Sequence, residues 1–210
     1  MVILGAGGFA KEILEIIEKK HPIEEIVFFD DVSKHSPEFI FNKYRILKTK
    51  EYLQDYFNVQ SPEFVLGLGN PKIRAMMTEM ASNLGGKLSN AIDDNASIGK
   101  YCTIGDGATI LIQACISNSV SIGKAPLIYY NSVITHDCTI GDYVELSPGS
   151  TLLGRVSVGN FTQIGANATV LPDLKIGNNC IIGAGAVVTK DVADNQIVIG
   201  NPARFLKYNS

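Results

Sequence analysis

The chain has 210 residues, 46% of them hydrophobic, enough for one or two domains with buried cores. Eighteen Lys and Arg stand against 21 Asp and Glu, a formal net charge of -3 with no basic block to track a phosphate backbone, so nucleic acid is not an expected partner. Every apolar run breaks well before the ~20 residues of a membrane span, and no cleavable signal pattern opens the sequence, so a cytoplasmic protein without a membrane span is expected.

Residues 1–89 mix helical and strand periods. Val2 to Leu4 reads as a strand, Gly5-Ala6-Gly7-Gly8-Phe9-Ala10 as a Gly-rich turn, and Lys11 to Lys19 as a helix with Ile13, Leu14, Ile16 and Ile17 inward. A second strand, Glu25 to Phe29, ends at Asp30-Asp31. A loop with Pro37 and a short helix around Glu51 to Asp55 lead to a third strand, Phe64 to Leu68, and Gly69-Asn70-Pro71 opens a helix to Asn83. Alternation of this kind predicts a small parallel sheet with right-handed crossovers.

A glycine turn that opens a helix lets backbone N–H groups approach an anion. An acidic pair about 20 residues later can meet a ribose or base. The bland alternative is a tight turn that needs positive φ. Gly67-Leu68-Gly69-Asn70 closes the third strand on the same sheet edge, which favours the functional reading. A dinucleotide fold requires a second half, and fewer than 90 residues precede the next region, so a single nucleotide is expected rather than NAD.

From Ile92 the texture changes. Stepping by six from Ile92 to Val188 meets a branched aliphatic at all seventeen positions. Four residues after each aliphatic the residue is nearly always small, and Gly often follows directly, as at Gly99, Gly123 and Gly141. A period of six suits short strands joined by tight corners, three strands per coil, with the aliphatics stacked inward: a parallel β-helix of five coils and two further hexads. Cys102, Cys138 and Cys180 fall in the small slot and Cys115 beside one, so all four read as core filler, and their spacing holds no metal motif.

With these repeats the chain resembles the hexapeptide-repeat acyltransferases. The N-terminal Gly-x-Gly-Gly turn, the acidic pair and the closing Gly200-Asn201-Pro202-Ala203-Arg204 narrow the resemblance to the bacterial sialic acid O-acetyltransferases and UDP-amino-sugar N-acetyltransferases. It implies a Rossmann-like α/β domain (1–89), a left-handed parallel β-helix (90–193) and a C-terminal tail (194–210), assembled as a homotrimer with active sites between neighbours. By the same resemblance Gly5, Gly7, Gly8, Asp30, Asp31, Gly69 and Asn70 hold the nucleotide of a nucleotide-linked sugar.

His136 is the only histidine of the repeats; His21 and His35 precede them. A lone His at a corner is often just a surface residue. Acetyl transfer, however, needs a base near neutral pKa, and the adjacent Asp137 can orient an imidazole. Gly154 lies 18 residues on, one coil away, where its N–H can face a thioester oxygen. The segment His136-Asp137-Cys138-Thr139-Ile140-Gly141-Asp142 resembles the family's catalytic segment, with His as general base. Glu145 stands where the family commonly has a second His, and Tyr129 where it often has Asn. Glu145 is a candidate proton relay or a mark of a different acceptor, and Tyr129 is a candidate substrate contact. Acetyl-CoA is the implied cosubstrate, placed by resemblance near Gly154, Ala166, Gly183 and Ala184, with Lys190, Arg204 and Lys207 as candidate phosphate partners.

The leading expectation is direct acetyl transfer to the amine of a UDP-linked amino sugar, because no Cys, Ser or Lys near His136 is spaced as a nucleophile. O-acetylation of sialic acid or another sugar hydroxyl stays open, as does a non-catalytic trimeric scaffold. A β-helical carbonic anhydrase needs three metal-binding histidines on the prism, and this one has a single His.

Overall fold

The first strand, β1 (Val2–Leu4), is three apolar residues with no solvent exposure, and it sits at the centre of its sheet. The computed structural model describes residues 1–33 and 37–209; His35 lies outside the described residues. The chain divides into two units, Met1–Ala91 and Ile92–Ser210.

In the first unit, α1 (Gly8–Ile17) follows β1, then β2 (Val27–Phe29), β3 (Phe39–Ile40), β4 (Tyr44–Leu47), α2 (Lys50–Val59), β5 (Glu63–Leu66), α3 (Pro71–Asn83) and β6 (Lys87–Leu88). Sheet order is β3-β4-β2-β1-β5-β6. β1 pairs in parallel with β2 on one side (Leu4 with Phe29) and with β5 on the other (Leu4 with Leu66). Strand order therefore reverses at β1, and the carboxyl end of such a switch point is where open α/β sheets bind ligands. Thr49 caps α2 by accepting from Tyr52 N–H, and Asn70 caps α3 by accepting from Ile73 N–H at 3.1 Å, with Pro71 as the first helical residue. α1 starts three residues earlier than predicted. β3 and β4 form where the sequence predicts a loop, so β2 reaches its parallel neighbour β4 through a hairpin and not a helix.

The second unit is a left-handed parallel β-helix with three faces of two-residue strands. Coils repeat every 18 residues: Ile110, Ile128, Leu146, Ile164 and Ile182 stack in register on the first face. From Ile110 onward the aliphatics of the hexads are at most 3% exposed, each contributing on the order of 1.5–3 kcal/mol. At the start of the stack Ile98 remains 39% exposed, so the ladder is not continuous from its first coil. In most hexads the third residue after the aliphatic turns the corner with positive φ, as at Asp137 (59°), Arg155 (62°) and Asp173 (65°). The Gly after the aliphatic serves stacking instead: a Cβ on Gly105 would lie 2.5 Å from the Gly123 carbonyl oxygen of the next coil.

Two expectations fail here. Cys138 and Cys180 are buried as predicted, but Cys115 is exposed, because it occupies the outward position of its strand. The six-residue phase also ends early. Val192 bridges to Ile176 and Val198 pairs with Ile182, a step of 16 and not 18, so Val192 takes an aliphatic position and not the small one. Residues predicted as a tail continue the prism: strand Gln196–Ile199 extends the first face and Arg204–Tyr208 returns antiparallel to it.

Candidate active site

His136 follows the strand Val133–Ile134, at the corner between the second and third faces. Its backbone is pinned from the next coil, since Arg155 N–H donates to the His136 carbonyl (3.0 Å). The left-handed turn at Asp137 brings that carboxylate back against the ring, and Nδ1 lies 2.7 Å from Asp137 Oδ2. A carboxylate only accepts, so Nδ1 carries a proton, and in the neutral ring Nε2 presents the lone pair. The side chain is 48% exposed, so a reacting group can reach it.

Gly154 occupies the same corner one coil on. A Cβ there would lie 2.7 Å from His136 Cε1 and 2.8 Å from Nε2, so only glycine lets the ring lie over this backbone. The Gly154 carbonyl accepts from Asp173 N–H, while among the described residues its own N–H donates to no group of the chain. One ring nitrogen able to take a proton and one free backbone donor thus sit side by side, a pairing suited to acyl transfer. Continuing along this corner, Lys190 lies three coils beyond His136, about 14 Å away at ~4.8 Å per coil.

The remaining predicted residues lie elsewhere. Ala166 and Ala184 stack on the corner that follows the first face, with Gly183 beside them, so one chain does not bring them to Gly154. Glu145 opens a first-face strand, where Gln163 Nε2 donates to its Oε2 (2.8 Å) and Ser147 Oγ to its Oε1 (3.4 Å). Tyr129 follows the preceding first-face strand beside Tyr130. Neither contacts the His136 corner of its own chain through these bonds. Lys190 and Arg204 line one cavity of about 290 Å³ at the end of the prism, floored by Val188 and Val198; Lys207 is exposed on the last strand.

In the first unit the predicted residues gather at the carboxyl ends of β1, β2 and β5. Gly5 has φ 104° and a Cβ there would strike the Gly67 carbonyl, so Gly5 serves the turn. Gly7 and Gly8 differ: a Cβ on either meets nothing within 4 Å, and Gly7 caps α1 without any side-chain bond. The protein's own packing does not require them, and they leave the helix N-terminus open to an anion. Gly69 likewise faces open space. Asp30 is half-buried. Burial raises its affinity for a proton, but Ser33 and Val32 N–H donate to Oδ1 (2.9 and 3.1 Å) and, with Lys48 nearby, hold the carboxyl below its usual range. Asp31 is exposed. Asn70 Oδ1 accepts from Ile73 N–H as the cap of α3.

Two sets of contacts between coils, spaced by 18 residues except for a last step of 16 to Asp194, went unpredicted. Asp142, Asn160, Asn178 and then Asp194 cap successive coils, each side chain accepting from the backbone of the coil before it. Arg155 and Asp173 pair on the His136 corner. Among the described residues no group of three or more His, Cys, Asp or Glu could hold a metal ion, and no helix is long and apolar enough to cross a membrane.

The PglD N-terminal domain model matches residues 1–81, and the bacterial transferase hexapeptide model (six repeats) matches residues 119–154 and 155–190. No curated protein sequence matches the chain. Solved structures similar over nearly its full length include the following three. The acetyltransferase domain of PglB from Neisseria gonorrhoeae, in complex with acetyl coenzyme A, is 30% identical over 98% of each chain with a TM-score of 0.85. PerB from Caulobacter crescentus, in complex with CoA and GDP-perosamine, is 28% identical over 98% of this chain and 96% of that one, with a TM-score of 0.86. WeeI from Acinetobacter baumannii is 29% identical over 98% of each, with a TM-score of 0.87.

Proposed function

The chain belongs to the bacterial hexapeptide-repeat sugar acetyltransferases, and on that premise we propose that it acetylates the amine of a nucleotide-linked amino sugar, with acetyl-CoA as cosubstrate and His136 as general base. The observation that carries the reading is the His136 ring, held by Asp137 and lying over Gly154, whose N–H donates to no group among the described residues. Nε2 takes the proton of the attacking amine, and Asp137 stabilises the resulting imidazolium. Gly154 N–H donates to the thioester oxygen as negative charge develops there. The amine nitrogen forms its bond to the acetyl carbon, the bond to the CoA sulfur breaks, and the proton held on Nε2 passes to the leaving thiolate.

The extended cosubstrate fits the corner that carries Gly154 and, two coils beyond it, Lys190, with Lys190 and Arg204 at the cavity as phosphate partners. Ala166, Gly183 and Ala184, like Tyr129 and Glu145, belong to another edge of the prism. We assign them to the same active site from a neighbouring protomer of a homotrimer. Gly7, Gly8 and Gly69 receive the nucleotide phosphates, with Gly5 shaping the turn and Asp31 facing the ribose or base. UDP is our choice among nucleotides, on the resemblance to the UDP-amino-sugar enzymes; a GDP-linked sugar, as bound by PerB, is the alternative to test beside it.

Replacing His136 by Ala tests the base directly. Turnover should fall by about 10²–10⁴ while the thermal midpoint stays unchanged. Turnover at the parental rate would remove His136 from the role.

A further inference from the structure

Residues 137, 155 and 173 occupy the same left-handed position in three successive coils, with φ of 59°, 62° and 65°. Their backbones are tied coil to coil: Asp137 N–H donates to Asn118, Arg155 N–H to His136 and Asp173 N–H to Gly154. The three residues therefore stand in a column with Arg155 between the two acids, their backbones about 4.8 Å apart from one coil to the next. The cation has chosen one of them. Arg155 donates from Nε to Asp173 Oδ1 and from Nη2 to Asp173 Oδ2 (2.9 Å), a two-bond grip, while Asp137 is left to His136 Nδ1.

We propose that Asp173 is a positioning residue for the His136–Asp137 pair: by gripping the Arg155 guanidinium it keeps that cation off Asp137, so that the Asp137 carboxylate stays on the imidazole. The inference rests on His136 acting as the base. The Arg155 bonds hold the Asp173 carboxyl below its usual range, with a smaller contribution from His136. Arg155 in turn holds its proton more tightly through Asp173 first and the Asp137 charge second, so the guanidinium senses both acids. The titratable groups along this corner are His136, Asp137, Cys138, Arg155 and Asp173, followed one coil beyond Asp173 by Lys190 and Asp191, while the coil before His136 presents the neutral Asn118 and Ser119. All but Cys138 are exposed on this chain, so the guanidinium is free to turn once its partner is removed.

Asp173→Asn removes the grip. Arg155 then turns to Asp137, and the imidazolium loses part of its counter-charge. The expected result is a fall in kcat of about fivefold, the reach of one exposed ion pair, with the acid limb of the kcat/KM profile moved to lower pH. Arg155→Gln alone should leave kcat within about twofold, since no cation competes for Asp137. The decisive variant is Asp173→Asn with Arg155→Gln, which should recover the parental rate and pH profile. Parental kinetics in Asp173→Asn alone would overturn the inference, and so would a loss that the double variant does not restore. His136→Ala, assayed alongside, separates the two readings. If its turnover is undiminished the base assignment fails, whereas if it falls and Asp173→Asn does not, only the positioning role fails.

Discussion

A single methyl group at position 154 should uncouple folding from catalysis. In Gly154→Ala the new Cβ would stand 2.7 Å from His136 Cε1 and 2.8 Å from Nε2, against the ~3.5–4.0 Å at which carbon atoms normally rest. Something must yield by roughly 0.8 Å or more. The backbone on both sides is held by coil-to-coil hydrogen bonds, with Arg155 N–H on the His136 carbonyl and Asp173 N–H on the Gly154 carbonyl. The imidazole, 48% exposed and held mainly by Asp137, is the part free to move. A displacement of about 1 Å in a reacting group is worth about 10²-fold in rate, and the rotated ring also loses its 2.7 Å bond to Asp137. Steady-state release of CoA thiol should therefore show kcat reduced about 100-fold. The thermal midpoint should stay within a few degrees, because a half-exposed ring swings into solvent at little cost to stability. A kcat within twofold of the parent would refute the geometry. Should Gly154→Ala fail to fold, the pair Gly154→Ala with His136→Ala distinguishes the causes, since removing the ring removes the collision.

Two further outcomes follow from the same structure. Gly8→Ala should leave the fold intact or stabilise it by up to about 1 kcal/mol, because Ala is the better helix residue and its Cβ meets nothing. KM for the nucleotide sugar should nevertheless rise about tenfold as the methyl blocks the helix N-terminus; unchanged KM, measured by initial rates, would take the phosphate away from this turn. Thiol labelling at pH 8 should modify exposed Cys115 in the native protein, while Cys138 and Cys180, whose thiols burial pushes above their usual pKa, react only on unfolding. Native labelling of Cys138, read by mass spectrometry, would contradict its burial.

The prism was legible because one physical requirement repeats: each coil must bury an aliphatic per face, and seventeen such positions in phase leave little room for another fold. His136 stands out in the sequence for the opposite reason, as the one imidazole among hexads of small and apolar residues. What escaped was set by contacts between coils or by very short elements. Tyr44-Arg45-Ile46 alternates in burial as a strand should before Leu47 is buried as well, yet the strand is four residues long and its partner β3 only two, too short a signal to outweigh the nearby Pro37. The end of the repeat was misread because Val192 satisfies the small position of one hexad and the aliphatic position of a coil shortened by two residues, and only the pairing with Ile176 decides between them. Glu145 stands at the expected distance along the sequence from His136, but nine residues carry the chain past one more corner, onto a face where Gln163 and Ser147 hold the carboxylate. Arg155 and Asp173 read as ordinary surface charges until their 18-residue spacing places them in one column with Asp137.

The central claim is acetyl transfer to a nucleotide-linked amine, and the most direct measurement is release of free CoA thiol from acetyl-CoA. The purified full chain should be offered UDP-, GDP- and dTDP-linked 4-amino sugars beside free sialic acid. The account predicts release with a nucleotide-linked amino sugar, UDP-linked first, with the acetyl group recovered on the sugar nitrogen and the activity lost in His136→Ala. Release with sialic acid alone, or CoA binding without turnover on any amine, would contradict it.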